Sequence, residues 1–355
     1  VGDFMKLKSI NPATEELNKE FEIFSEDKIV KIVEESRKAF NEWKNYDLSN
    51  RTKYFLNLAD ILRKRKNEYG RLISIEMGKP IKQAIAEVEK CAWTAEIYSE
   101  KADEWLQEEE VQVDGKRHLV TFEPLGIILS IMPWNFPFWQ ALRFAIPTLV
   151  AGNVSILRHS SNVPMCALAI EESFKEAGFP KSVFRTIFTD HKMITKLIEN
   201  DYINGVSLTG SLGAGSKIGG LAGKNIKKFV LELGGSDPFI VLEDSDINLA
   251  SKNAIQGRMM NTGQSCIAAK RFIVIENIAE QFIGKLVELN KKLIIGNPLD
   301  ENTDIGPLAN EQQLREIELQ VQDAVEKGGN ILDGGKRVGE KGFFFQPTLI
   351  SNVNS

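Results

Sequence analysis

The sequence predicts an α/β protein of two domains, each built on an open parallel sheet, with a β-hairpin standing apart from both. Three observations carry this reading. From Ile127 onward, short apolar runs alternate with stretches of helical periodicity, the pattern of parallel βαβ units. At 355 residues, with 43% hydrophobic and 26% charged side chains, the chain is long and apolar enough to build two cores. Ahead of the first apolar run, Asp114-Gly115 sits between alternating residues and signals a tight hairpin.

In chain order, Val1–Phe4 precede Met5, read as non-native sequence and are set aside. From Ser25 to Glu110 the chain is nearly free of Pro, and Tyr54, Leu56, Leu58, Ala59, Ile61 and Leu62 recur at helical spacing, so this region is helical. Residues 110–122 form two strands around Asp114-Gly115. An exposed two-stranded ribbon is marginal alone, so it is expected to pair with a partner chain. Strand Ile127–Met132 follows, then a helix over Trp139–Val150, strand Val154–Leu157, helix Met165–Ala177, strand Val206–Thr209 and helix Ser216–Ala222. A second α/β region opens near Leu233 and carries Cys266, strand Phe272–Ile275 and helix Ala279–Leu293. The domains are therefore placed at residues 5–232, with the 110–122 hairpin, and at residues 233–355.

Composition excludes several classes. The net charge is -5 and Lys and Arg are spread along the chain, which gives no footprint for nucleic acid. The apolar run Leu125–Met132 is too short to span a bilayer, and the N-terminal region shows no charged-then-apolar signal pattern. Neither a membrane nor secretion is expected. Cys91, Cys166 and Cys266 are too few and too scattered for a disulfide framework or a metal cluster, so a cytoplasmic protein without a metal is expected.

Four segments bear on chemistry. Cys266 ends Asn261-Thr262-Gly263-Gln264-Ser265-Cys266, a thiol behind a Gly turn, and reads either as a nucleophile or as a buried structural cysteine. His118, His159 and His191 lie in no protease signature, which disfavours a Cys-His hydrolase. Glu232 precedes Gly234-Gly235 and is either a base beside a ligand or a strand-end carboxylate at a tight turn. Pro133-Trp134-Asn135-Phe136-Pro137 closes the Ile127–Met132 strand, where open α/β sheets place ligands. The Asn135 amide is there either an oxyanion donor or a turn former. Thr209-Gly210-Ser211 turns a strand into a helix, which suits a phosphate and equally a plain N-cap. Neither G-x-G-x-x-G nor a Walker A sequence occurs.

In chain order, residues 133–137, 209–211, 232–235 and 263–266, the four segments resemble the aldehyde dehydrogenase superfamily, from about Ile10 to the last residue. The resemblance implies an aldehyde dehydrogenase-like fold with an NAD(P)-binding domain, a catalytic domain and an oligomerisation hairpin, assembled as a homodimer or homotetramer. It implies that Cys266 attacks an aldehyde carbon, that the Asn135 amide and the Cys266 backbone N–H hold the oxyanion, and that Glu232 is the base for thioester hydrolysis. By the same resemblance Trp134, Arg158, Ser161, Gly210, Ser211 and Leu233 contact the cofactor. Many members have Lys where Arg158 stands, and NAD-selective ones often have Glu where Ser161 stands. Loss of that carboxylate removes a repulsion against a 2'-phosphate, which favours NADP, with NAD as the alternative.

Arg143, eight residues after Asn135, matches a position where members acting on succinate semialdehyde carry an arginine for the substrate carboxylate. A helix-surface or inter-subunit salt bridge is the structural alternative for it. A second arginine of some such members is Met260 here, with Arg258 out of register. Succinate semialdehyde is thus the expected substrate, and lactaldehyde or another short aldehyde the alternative. Beyond Gln346-Pro347-Thr348-Leu349-Ile350 the family continues through a Glu-x-Phe-Gly-Pro segment and a pairing strand. On that pattern the chain is expected to lack a C-terminal part, which raises the alternative of a non-catalytic nucleotide-binding fragment.

Overall fold

Ile127–Met132 is buried along its whole length, as a central parallel strand covered on both faces must be. The computed structural model that contains it describes residues 6–353. Val1–Met5, including the Val1–Phe4 segment set aside above, and Asn354–Ser355 lie outside the described residues. The chain divides into two compact units. One comprises Val1–Lys8, Glu20–Tyr69 and Ile85–Leu233, the other Ser9–Lys19, Gly70–Ala84 and Gly234–Ser355.

In chain order the strands and helices begin with β1 (Lys6–Ile10), β2 (Leu17–Glu22), α1 (Glu26–Trp43), α2 (Leu48–Lys64), α3 (Lys66–Met77) and α4 (Ile81–Trp105). Next are β3 (Glu109–Val113), β4 (Lys116–Val120), β5 (Ile127–Met132), α5 (Pro137–Val150), β6 (Val154–His159), α6 (Pro164–Glu176) and β7 (Phe184–Thr186). The chain continues through α7 (His191–Glu199), β8 (Ile203–Gly210), α8 (Leu212–Lys224) and β9 (Lys228–Leu233). It ends with β10 (Asp237–Val241), α9 (Ile247–Met259), β11 (Ala269–Val274), α10 (Glu276–Asn290), α11 (Glu311–Glu326), β12 (Asn330–Asp333) and β13 (Leu349–Ser351).

The first unit is organised by a five-stranded parallel sheet of order β7-β6-β5-β8-β9. After β5 the chain runs outward to β6 and β7, then returns to the other side of β5 for β8 and β9. The strand order therefore reverses at β5, and the crevice at the carboxyl ends of β5, β6 and β8 is where such sheets bind ligands. Helix boundaries follow local chemistry. Ser25 caps α1 by accepting from Lys28 N, Asp190 caps α7 by accepting from Met193 N, and Pro137 occupies the first turn of α5 where its missing N–H costs nothing. On the sheet, Trp43 of α1 is buried, and its Nε1–H donates to the Leu149 carbonyl at 2.9 Å. The β3/β4 hairpin pairs Val113 with Lys116, and its turn residues Asp114 and Gly115 both have positive φ, as its Asp-Gly pair predicts.

In the second unit β10 and β11 run parallel, and α9 and α10 share a core of Val241, Ala254, Ile255, Met259, Phe282 and Leu286. A smaller cluster of Leu314, Val321 and Phe345 seats α11. Strand β11 starts at Ala269, three residues before the expected Phe272, because Ala269 and Arg271 pair with Asp237 and Pro238 despite weak strand propensity. No helix among the described residues is long and apolar enough to cross a membrane.

Candidate active site

In the first unit, the Pro133–Pro137 segment runs from the end of β5 into α5. Its N-cap, Phe136, offers no side-chain cap. The orphan N–H groups of Phe138 and Trp139 donate instead to the carboxylate of Glu87 on α4, both at 2.9 Å. From β6, His159 Nε2–H donates to the Pro137 carbonyl at 2.9 Å, while its Nδ1 accepts from Ser160 N at 2.9 Å, which fixes the tautomer. Burial, with a smaller push from Arg158, brings the His159 pKa down to about 4. Further along α5, the Arg143 guanidinium lies 3.4 Å from the Glu232 carboxylate on β9. Two predicted site residues thus meet directly.

Arg158, at the end of β6, is half-buried, and burial lowers its pKa with no carboxylate paired to it among the described residues. Ser161, three residues on, is exposed. At the end of β8 the Ser211 hydroxyl accepts from Ala214 N at 3.3 Å and caps α8, so the N-cap geometry read from the sequence is present. Leu233 packs over α8 so closely that a Cβ on Gly215 would sit 2.5 Å from Leu233 Cδ2. Glycine at 215 is what lets the helix approach the strand end.

In the second unit, Cys266 follows a segment with left-handed backbone at Asn261, Thr262 and Gly263, with φ of 57°, 57° and 73°. For a β-branched Thr this conformation is costly and persists only where neighbours enforce it. They do so from several directions. Asn261 N donates to Gln83 Oε1 at 2.7 Å, Thr262 Oγ1 accepts from Gly306 N at 3.0 Å, and Gln264 Oε1 accepts from Ala309 N at 3.0 Å. The Arg258 guanidinium is committed to the Gly263 carbonyl at 2.8 Å. Lys270 donates to the carbonyls of Gly235 and, at 3.0 Å, Cys266. Cys266 itself is partly exposed, whereas Cys91 and Cys166 are buried.

Four residues that hold these segments, Gln83, Glu87, His159 and Lys270, were not read from the sequence as site residues. Glu87 had a signal. It interrupts the buried stripe of Ala84, Val88, Cys91 and Ala95 on α4, where an acid is unexpected without a partner.

Comparison with known proteins decides the family, since the chain matches the description "Aldehyde dehydrogenase family" over residues 2–355. The chain belongs to the aldehyde dehydrogenase family. A Synechocystis member named "Probable succinate-semialdehyde dehydrogenase", with NADP(+) in its name, is 44% identical over 349 residues, covering 98% of this chain and 77% of its own length. The Mycobacterium tuberculosis member "Succinate-semialdehyde dehydrogenase 1", also with NADP(+) in its name, is 40% identical over 353 residues, covering 99% of this chain and 77% of its own. Among solved aldehyde dehydrogenases, the succinic semialdehyde dehydrogenase of Streptococcus pyogenes in complex with NADP+ superposes with a TM-score of 0.95 at 32% identity, over 97% of this chain and 76% of that one. The aldehyde dehydrogenase fold expected from the four segments is thus the observed one, and the cysteine hydrolase reading falls away.

Proposed function

We propose that this aldehyde dehydrogenase oxidises succinate semialdehyde to succinate with NADP as the hydride acceptor. The names of the relatives support that substrate, but the observation that carries it is Arg143. A guanidinium on the helix that follows Asn135, 3.4 Å from the Glu232 carboxylate, already binds an anion of the kind the substrate would present. A substrate carboxylate would take over that partner.

NADP suits the residues at the sheet ends. Arg158 is a half-buried cation without a paired carboxylate among the described residues, Ser161 beside it carries no charge, and the Ser211-capped start of α8 offers backbone N–H groups to a pyrophosphate. When bound, NADP accepts the hydride that leaves the substrate carbon. The chain's own residues do the rest. Cys266 Sγ forms a bond to the carbonyl carbon as the π electrons move to oxygen, where the Asn135 amide and the Cys266 N–H receive the charge. After hydride loss the thioester remains on Cys266. Water then loses a proton to Glu232 as it attacks, the C–S bond breaks, and the acid leaves. In this reading residues 5–232 bind the cofactor, with Trp134 and Leu233 beside it, and residues 233–355 carry the nucleophile. The exposed hairpin, with Val111, Val113, Leu119 and Val120 all open to solvent, supports pairing with a second copy in a homodimer or homotetramer. Three scattered cysteines, too few for a disulfide framework, support a reducing, cytoplasmic setting.

The Arg143–Glu232 pair also favours a second reading, in which Arg143 only steers the base and the substrate is a short uncharged aldehyde such as lactaldehyde. Steady-state kinetics of Arg143→Ala separate the two. Loss of a charge-assisted hydrogen bond of roughly 1.5–3 kcal/mol raises KM for succinate semialdehyde about tenfold to a hundredfold and leaves butyraldehyde nearly unchanged. Parallel losses on both aldehydes would establish the second reading.

A further inference from the structure

The loop that carries Asn135 is gripped from behind. Helix α5 has Phe136 at its N-cap, whose side chain makes no cap hydrogen bond, and its first turn is held by buried side chains from distant parts of the first unit. Glu87, 5% exposed, accepts from Phe138 N and Trp139 N at 2.9 Å each, and a negative charge at a helix N-terminus is stabilising. His159, also 5% exposed, donates to the carbonyl of Pro137 at 2.9 Å. Lys90, on the same helix as Glu87, lies over the Trp139 ring at 3.8 Å and strengthens the attachment of α4 to this turn. These contacts fall on Pro137, Phe138 and Trp139, and the first of those residues is two positions after Asn135.

We infer that Glu87 and His159 are positioning residues for Asn135, holding the first turn of α5 so that the amide stays in place as charge develops on the substrate oxygen. The inference rests on the reading of Asn135 as the oxyanion amide. Donors to an oxyanion act by being fixed before the charge appears, and a displacement of about 1 Å costs on the order of a hundredfold in rate. One Glu87 oxygen on α4, accepting from two successive N–H groups, and a tautomer-locked donor from β6 supply that fixity. The grip also ties Asn135 to the Arg158–Ser161 segment, because His159 belongs to both.

A double-mutant cycle in the full chain tests this. Single-turnover formation of the reduced nicotinamide is measured for Glu87→Ala, His159→Leu and Asn135→Ala, and for each of the first two combined with Asn135→Ala, alongside cofactor Kd. Glu87→Ala and His159→Leu should each slow the hydride step about tenfold to a hundredfold with Kd within about twofold. In the Asn135→Ala background they should slow it no further. Glu87→Gln and His159→Gln, which keep an acceptor and a donor, should restore most of the rate. Where Glu87→Ala fails to fold, Glu87→Asp, with the same charge on a shorter arm, takes its place in the cycle. Losses that multiply in the double variants would overturn the inference, because the two residues would then act on something other than Asn135. An Asn135→Ala chain as fast as the parent would overturn the oxyanion reading itself and the inference with it.

Discussion

Glu232 faces the Arg143 guanidinium at 3.4 Å, yet its proposed task is to take a proton from water. Both side chains are partly exposed, so the pair is worth no more than about 1 kcal/mol, weak enough to be exchanged during turnover. In the proposed mechanism, replacement by Gln removes the base and leaves hydride transfer, which precedes it, intact. We expect Glu232→Gln to accumulate the acyl group on Cys266, seen as an adduct by intact-mass measurement under substrate. Hydrolysis as fast as in the parent would assign the base elsewhere. Cys266 behind its Gly turn was legible in the sequence because the two lie within a few residues of each other. The pairing of Arg143 with Glu232 was not, since the two are far apart in the chain and only the β5-to-β9 sheet order brings them together. Nor does a Thr at 262 advertise left-handed backbone, a conformation imposed there by Gly306 and its neighbours.

The β6–α6 connection is the element on which we propose that cofactor choice turns. Ser161 is exposed on it, and Arg158 at its start is half-buried. A carboxylate at 161 would repel a 2'-phosphate while accepting the ribose hydroxyls of NAD. Ser161→Glu should therefore raise the Kd of NADP at least about tenfold more than that of NAD, measured by fluorescence titration. Equal effects on both would remove Ser161 from the cofactor site. Elements with local signatures were the readable ones. Asp114-Gly115 forms the hairpin turn, and the continuously apolar Ile127–Met132 forms the central strand. Strand β9 was legible only as the strand-end alternative for Glu232, because Lys228 and Glu232 break its apolar pattern at the sheet edge, and β12 and β13 were not legible because each is short and pairs only across the intervening loops.

For the molecule as a whole, His159 links stability to pH. Its pKa falls from an ordinary 6.5 to about 4 on folding, chiefly through desolvation. Above pH 6.5 both folded and unfolded forms are neutral here and the contribution is complete. As pH falls through that value only the unfolded chain takes up the proton, so stability declines until the folded form also protonates near pH 4. The loss is on the order of 3 kcal/mol. Urea midpoints between pH 7.5 and pH 4.5, approximate limits that bracket this range, should fall more steeply for the parent than for His159→Gln. Equal slopes would mean that His159 titrates as it does in water. Fold class followed from strand-helix alternation, whereas the membership of Ser9–Lys19 and Gly70–Ala84 in the second unit did not. Their contacts depend on chain crossings that periodicity does not encode.

The contact of Gly215 with Leu233 has a consequence for how this sequence can drift. With 2.5 Å between a notional Cβ at 215 and Leu233 Cδ2, a side chain at 215 needs the Leu233 side chain to move or shorten, whereas 233 can shorten alone. Any lineage that acquires a side chain at 215 must first shorten the one at 233, or shift α8 and with it the Ser211 turn. A change at 215 should therefore follow a shorter residue at 233, and selection from a library randomised at both should be depleted in combinations that are large at both.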